Sequence, residues 1–274
     1  RGLGDVYKRQ LYNLCKFCWR VYNMKKEMFN LDNHPKFGTR EPDLDPWQKG
    51  LVKTTNKCRE KKKLGDDFEN KLCEMLKTAF PDDVIIQNVL FESGNYIDSL
   101  KIYESLQIDI IVVTDIGVFC IEAKWISDTK YTRISGGALS KSWTLKTKRG
   151  TTNSDINGLK QNYRHYMYLK EMFAKEKVDC PIYQMTVIGG LERKKIAVQQ
   201  FIDANLVDEK EIVDRVTYIK NRNKNKNVNV KQVVNIINDW KCTIEGADIL
   251  HLVYARNIAK KKLPARCKKI MRSL

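Results

Sequence analysis

The chain has 274 residues, 42% of them hydrophobic, enough for one core domain with extensions. Its 50 Lys and Arg against 33 Asp and Glu give a net charge of +17, which favours nucleic acid or an anionic membrane surface over a plain solvated surface. No run of about 18 apolar residues occurs, so no segment reads as a membrane-spanning helix.

The first ten residues, "RGLGDVYKRQ", look like translated sequencing-adapter peptide and are set aside, leaving 11–63 as an N-terminal extension. Within it, Asn30 to Lys63 is polar, carries three of the six prolines and ends in "CREKKK", the composition of a partly disordered arm. Of the eight cysteines only Cys15 and Cys18 have metal-ligand spacing, and no second pair completes a zinc site. Scattered cysteines fit a reducing cytoplasm better than a disulfide framework.

Phe68, Leu72, Met75, Leu76 and Ala79 recur at helical spacing, so 66–80 reads as an amphipathic helix ending before Pro81. Glu69 lies at the edge of that stripe and, taken alone, is a solvated first-turn Glu near the helix's positive end. A strand is expected at 84–91, then a charged loop. From Ile108 to Trp125 comes "IDIIVVTDIGVFCIEAKW", two apolar β-branched runs around a Thr-Asp-Ile-Gly turn. With a two-residue loop at Asp115 and Ile116, Thr114 pairs with Gly117 and Asp109 falls opposite Glu122, Cβ atoms about 5 Å apart. Lys124 then points to the same face as Glu122. A three-residue loop with a bulge at Gly117 would disturb that register.

Facing carboxylates repel and need compensation. Either Lys124 neutralises Glu122 at a solvated strand end, or the carboxylates hold a hard cation. Mg²⁺ takes carboxylate, carbonyl and water oxygens in octahedral geometry. Such an ion activates water and stabilises phosphoryl oxygens, and a neighbouring ammonium adds to that.

A basic β-ribbon follows at 130–148, turning at Ser135-Gly136-Gly137. Next come a helix from about 155 to 173, with an apolar stripe of Ile156, Leu159, Tyr163, Tyr166 and Phe173, and a strand from Ile182 to Gly190. Gln161 and His165 lie one turn apart on that helix, where a surface position is the ordinary reading of both. The stretch 201–219 reads helical, Lys220 to Lys231 is a basic Asn-rich loop, and 232–240 is a short helix. Ile249 to Leu274 holds eight Lys or Arg and no Asp or Glu. The fold class is α/β, a mixed central sheet flanked by helices, followed from 201 to 274 by a mostly helical basic extension.

Four stretches, in order, resemble the NERD (nuclease-related) domain, a branch of the PD-(D/E)xK nuclease superfamily. They are "GDDFENKL" (65–72), the 108–125 hairpin, "ISGGALSKSWTLKT" (134–147) and "NGLKQNYRH" (157–165). The resemblance covers roughly Lys63 to Gly190 and places the nuclease-like domain at 64–200. Phe68 stands where the family has a second Gly, Ile110 where it has His, and Gly158 where it has Pro. The resemblance implies Asp109 and Glu122 as metal ligands with the Ala123 carbonyl. It implies Lys124 as the catalytic lysine, Glu69 as a helix carboxylate reaching the metal directly or through water, and Gln161 as an orienting residue. The implied cofactor is Mg²⁺, with Mn²⁺ as a substitute.

The function expected is Mg²⁺-dependent hydrolysis of phosphodiester bonds, in DNA rather than RNA. The alternative is a non-catalytic nucleic-acid-binding module on the same fold. A basic scaffold or membrane-surface protein ranks last, for want of a clear basic amphipathic helix. Sequence-independent phosphate contacts are expected from Lys220, Arg222, Lys224 and Lys226 in the basic loop. Lys260, Lys261, Lys262, Arg266, Lys268 and Lys269 in the tail are expected to add to them. Nothing in the sequence fixes the oligomeric state.

Overall fold

A computed structural model of the chain describes residues 63–97, 102–138, 140, 142–153, 157–199 and 204–243, with Phe29, Leu31, Ala247 and His251. The adapter-like residues 1–10, Cys15 and Cys18, and the tail lysines and arginines from Lys260 to Lys269 lie outside the described residues.

The first helix, α1 (Lys63–Ala79), turns Phe68, Leu72 and Leu76 of the expected stripe inward together with Cys73, while Met75 is half-buried and Ala79 exposed. β1 (Val84–Ile97) and β2 (Ile102–Thr114) pair as one long antiparallel hairpin. The expected charged loop after 91 is therefore mostly strand, because Glu92↔Ser105 and Tyr96↔Tyr103 continue the ladder. β3 (Gly117–Trp125) pairs with β2 in the expected register, from Thr114↔Gly117 to Ile110↔Ile121, around a two-residue turn.

The other elements are β4 (Arg133–Gly137), β5 (Thr144–Thr147), β6 (Gly150–Asn153), α2 (Gly158–Lys175), β7 (Ile182–Gly189), β8 (Ile196–Gln199), β9 (Ala204–Asp208), α3 (Ile212–Arg222) and α4 (Val230–Trp240). The central sheet has five strands in the order β1-β2-β3-β7-β9, and β7 is parallel to both β3 and β9. α1 and α3 cover one face, where Phe68, Leu72, Val216 and Ile219 meet Ile110, Val112, Ile121 and Val187. α2 and α4 cover the other, where Tyr168, Met172, Val233 and Trp240 meet Ile108, Ile111, Val113 and Cys120. Phe29 and Leu31 of the N-terminal extension pack on this second layer, Phe29 edge-on to Tyr168 at 5.1 Å.

Three expectations need correction. Ser135-Gly136-Gly137 is strand rather than turn, since Ser135↔Thr144 pairs β4 with β5 and Gly136 lies under Trp143, whose Cδ1 a Cβ there would meet at 3.0 Å. The stretch read as helical from 201 holds β9, and its helix starts at Ile212, so the sequence after 200 opens with a central-sheet strand. The buried face of α2 is Leu159, Asn162, His165, Tyr168, Leu169, Met172 and Phe173, while Tyr163 and Tyr166 stand half-exposed beside it.

One irregularity bears on the site. β1 and β2 are in register at Gln87↔Ile110 and at Val89↔Ile108, but Asn88 and Asp109 between them drop out of the ladder. Asn88 adopts φ +53°, a left-handed conformation that Asn tolerates better than most residues. The side chains change faces across this break: Leu106 and Ile108 join Ile111 and Val113 in the α2 layer, whereas Ile110 and Val112 face α1. Among the described residues no helix is long and apolar enough to cross a membrane.

Candidate metal and catalytic centre

At the carboxyl ends of β3 and β7, where ligands settle on open α/β sheets, charged side chains converge in the interior. The regular β2–β3 ladder stops at Ile110↔Ile121, so Asp109 and Glu122 are not the face-to-face ladder pair expected. Having left the pleat, Asp109 turns its carboxylate toward β3, where Oδ2 accepts the Ala123 N–H at 2.8 Å. Glu122 points toward α2 and is 0% exposed. Lys124 forms an ion pair with Glu122 Oε1, and His165 Nδ1 lies 3.2 Å from Oε2.

The electrostatics follow from this burial. Burial pushes the Asp109 carboxyl up to about 7; the Glu122 charge adds to the effect, and Lys124 and the Ala123 N–H oppose it. Burial likewise raises Glu122, against the pull of Lys124. For Lys124, burial disfavours the charge, but Glu122, Asp109 and Glu69 outweigh it and hold the ammonium above the usual lysine range. Burial drives His165 down to about 3, with Lys124 and Arg164 also lowering it and Asp109 opposing, so the imidazole is neutral. Lys124 keeps 23% of its side chain accessible, which makes it the exposed side of the cluster.

Glu69 is buried on α1, and its charge reaches Lys124 across the sheet end, so the reading of a solvated first-turn Glu is set aside. Ala123 is buried, its methyl in the α1 layer and its position paired with Val187. Gln161 lies half-buried on the first turn of α2, one turn before His165, and its side chain forms no hydrogen bond among the described residues. His165, read from sequence as a helix-surface residue, is 3% exposed and belongs to the cluster.

α2 is placed by its own polar residues. Asn157 caps it, its Oδ1 accepting the Lys160 N–H at 3.1 Å. The Asn157 Nδ2 donates to the carbonyls of Gly137, Ala138 and Ser140 at 2.9, 3.2 and 2.7 Å, tying the β4–β5 connection to the helix. Asn162 accepts from Cys120 Sγ and donates to Met185 O at 2.8 Å, which fixes α2 over β3 and β7. Gly158 lets the helix start close: a Cβ there would meet Trp143 Cη2 at 2.9 Å and Lys124 Cγ at 3.2 Å.

The cluster fits a hard divalent cation. Two carboxylates withdrawn from water share one adjacent ammonium and a neutral imidazole, and burial first, with the Glu122 charge second, holds the Asp109 carboxyl up. Among the described residues no group of three His, Cys, Asp or Glu side chains has metal-binding geometry, so a cation here would use two carboxylates, main-chain oxygen and water. That is the donor set of Mg²⁺ rather than of Zn²⁺.

The basic loop is elsewhere. Lys220 is paired with Asp83 at 2.6 Å and lies over the Phe80 ring, at the far end of α1 from Glu69. Val228 N–H bonds the Asp115 carbonyl in the β2–β3 turn, and Glu122 is ~20 Å from that turn along β3 at ~3.3 Å per residue. Lys220, Arg222, Lys224 and Lys226 therefore do not flank the carboxylates.

Comparison with known proteins agrees with this architecture. Residues 64–189, a little under half of the chain, match the family model NERD, the nuclease-related domain. No curated protein and no solved structure matches the chain.

Proposed function

We propose, from the match of residues 64–189 to the nuclease-related domain model, that the chain hydrolyses phosphodiester bonds with Mg²⁺, and that DNA is its substrate. The observation that carries this reading is the buried pair Asp109 and Glu122, under-compensated by Lys124 alone, at the carboxyl end of β3. Asp109, Glu122 and the Ala123 carbonyl would hold the cation, with Mn²⁺ as a substitute. When bound, such an ion supplies Lewis-acid activation of water and neutralises phosphoryl charge.

The side chains do the rest. Lys124, held charged by three carboxylates and partly accessible, stabilises the negative charge that builds at phosphorus. Glu69 keeps that ammonium charged from the α1 side and would reach the cation directly or through water. His165 stays neutral beside Glu122 and confines the carboxylate by packing. Gln161, on the first turn of α2, positions a substrate phosphate.

The test is cleavage of linear, circular and single-stranded DNA and of RNA, each with Mg²⁺ and with EDTA. DNA cleavage that EDTA abolishes is expected. Binding of DNA without cleavage under any divalent ion would establish the non-catalytic alternative instead.

A further inference from the structure

The β4–β5–β6 ribbon combines charge and position in a way that the carboxylate centre does not account for. From Thr129 to Asn153 the sequence has six Lys or Arg and no Asp or Glu. Arg133 pairs directly with Lys146 across β4 and β5, both exposed. Opposed like charges destabilise an antiparallel pair. Among the described residues neither is ion-paired, nor are Lys130, Lys148 and Arg149. Elsewhere the basic side chains of Lys71, Arg164 and Lys220 have carboxylate partners.

The strand register sorts the ribbon into two faces. Ile134 and Leu145 point inward to the cluster of Trp143, Leu159 and Ile188. Arg133, Ser135, Thr144, Lys146, Thr151 and Asn153 alternate with them and share the outer face. That face is two cations among hydroxyl and amide groups, with no apolar side chain. Lys148 and Arg149 extend it at the β5–β6 turn. Its inner face abuts the centre: a Cβ on Gly158 would meet both Trp143, one residue before β5, and Lys124.

We infer that the outer face of the β4–β5–β6 ribbon is a DNA-docking surface, which takes the phosphodiester backbone on Arg133, Lys146, Lys148 and Arg149 and leads it to Lys124. This rests on the nuclease reading for its orientation, but not for its chemistry. A backbone phosphate supplies the counter-charge that Arg133 and Lys146 lack, and phosphate contacts fix register without reading sequence. The twisted outer face, ~13 Å along β5 at ~3.3 Å per residue, spans more than one phosphate.

Binding of a fluorescein-labelled 20-base-pair DNA duplex, measured by anisotropy in EDTA over a range of salt, separates this surface from the chemistry. Arg133→Ala/Lys146→Ala is expected to weaken binding about tenfold at low salt and to flatten the log–log salt slope by about 1.8, two contacts at ~0.9 each. Lys77→Ala/Lys231→Ala, exposed on the last turn of α1 and the first turn of α4, should change neither by as much as half. Unchanged affinity and slope in the ribbon variant, with its thermal melt intact, overturns the proposal. Equal losses in both variants overturn it too, as does a loss confined to anionic phospholipid vesicles. The ribbon result and the nuclease reading fail separately. A protein that cleaves DNA but binds it independently of Arg133 and Lys146 keeps the nuclease and loses this surface. One that binds through the ribbon but never cleaves keeps the surface and loses the nuclease.

Discussion

His165 Nδ1 lies 3.2 Å from Glu122 Oε2, and neither side chain is appreciably accessible to water. A neutral imidazole in that position is the polar neighbour of a buried carboxylate, close to it without hydrogen-bond geometry. His165→Ala should leave the carboxylate in apolar surroundings, at a cost of about 1–3 kcal/mol in stability. Asn carries an amide nitrogen near the place of Nδ1, so His165→Asn should recover most of that loss. Urea unfolding of the three proteins in EDTA checks this; equal stabilities would show that the contact is incidental.

Two groups of this cluster, Asp109 and His165, give opposite trends with pH. Asp109, raised to about 7 from 3.8, contributes stability below pH 4 that is lost as pH rises through 7. His165, lowered to about 3 from 6.5, contributes stability above pH 6.5 that is lost as pH falls toward 3. Between pH 4 and 7 the two trends oppose each other in the metal-free protein. His165→Asn removes one of them, so its stability should fall steadily from about pH 4 to about pH 7. Stability of that variant rising with pH over the same window would contradict the assignment.

Glu122→Gln and Asp109→Asn should each lower cleavage on the order of 10²-fold or more, with the double variant no worse than either single one. Stability gives a second readout. In EDTA, Glu122→Gln should melt no lower than wild type, because one carboxylate fewer then shares the Lys124 ammonium. Mg²⁺ should raise the melting temperature of wild type and not that of the variant. A variant that Mg²⁺ stabilises as well as it does wild type would remove Glu122 from the ligand set.

Lys124→Ala should slow turnover by roughly 10²-fold, about 2.7 kcal/mol of transition-state stabilisation. DNA affinity should stay within a few-fold, since one charge among a net +17 adds little to attraction. Single-turnover cleavage with Mg²⁺ and binding with Ca²⁺ separate the two. Parallel losses would make the residue a phosphate anchor, and no change in either would leave it only as the ion-pair partner of Glu122.

Gly158 explains why this chain departs from a proline that would otherwise suit the first position of a helix. Trp143 and Lys124 occupy the space, so Gly158→Ala must push the indole or the lysine stem aside. Turnover should drop more than stability does. Trp143→Phe, which removes the ring atom nearest the added methyl, should restore part of it in the double variant. Full activity in Gly158→Ala alone would mean that the lysine does not need its present position.

The hairpin register was legible because a two-residue turn and β-branched runs leave little choice, and α1 because its apolar spacing is clean. The face of α2 was not legible. Asn162 and His165 lie on its buried side, where Asn162 bonds β3 and β7 and His165 stands beside the Glu122 carboxylate, so polarity masked the period. β9 was missed for a different reason: five residues, "ANLVD", sit beside helix-forming sequence, and only pairing with β7 makes them strand. The turn of Asp109 out of the pleat needs its partner Asn88 at φ +53°, and no local sequence signal for that exists.

β9 closes the open side of β7, yet it lies past residue 189, where the nuclease-related match ends. Cutting the chain at that point would turn a central strand into a bare edge, with the backbone of Gln184 to Ile188 unpaired on that side and Val187 deprived of Val207 and α3. Such an edge templates pairing with further copies of itself. A fragment trimmed to the matched segment should aggregate, and the shortest well-behaved form should run at least to Trp240, whose indole is wholly buried in the layer formed with α2.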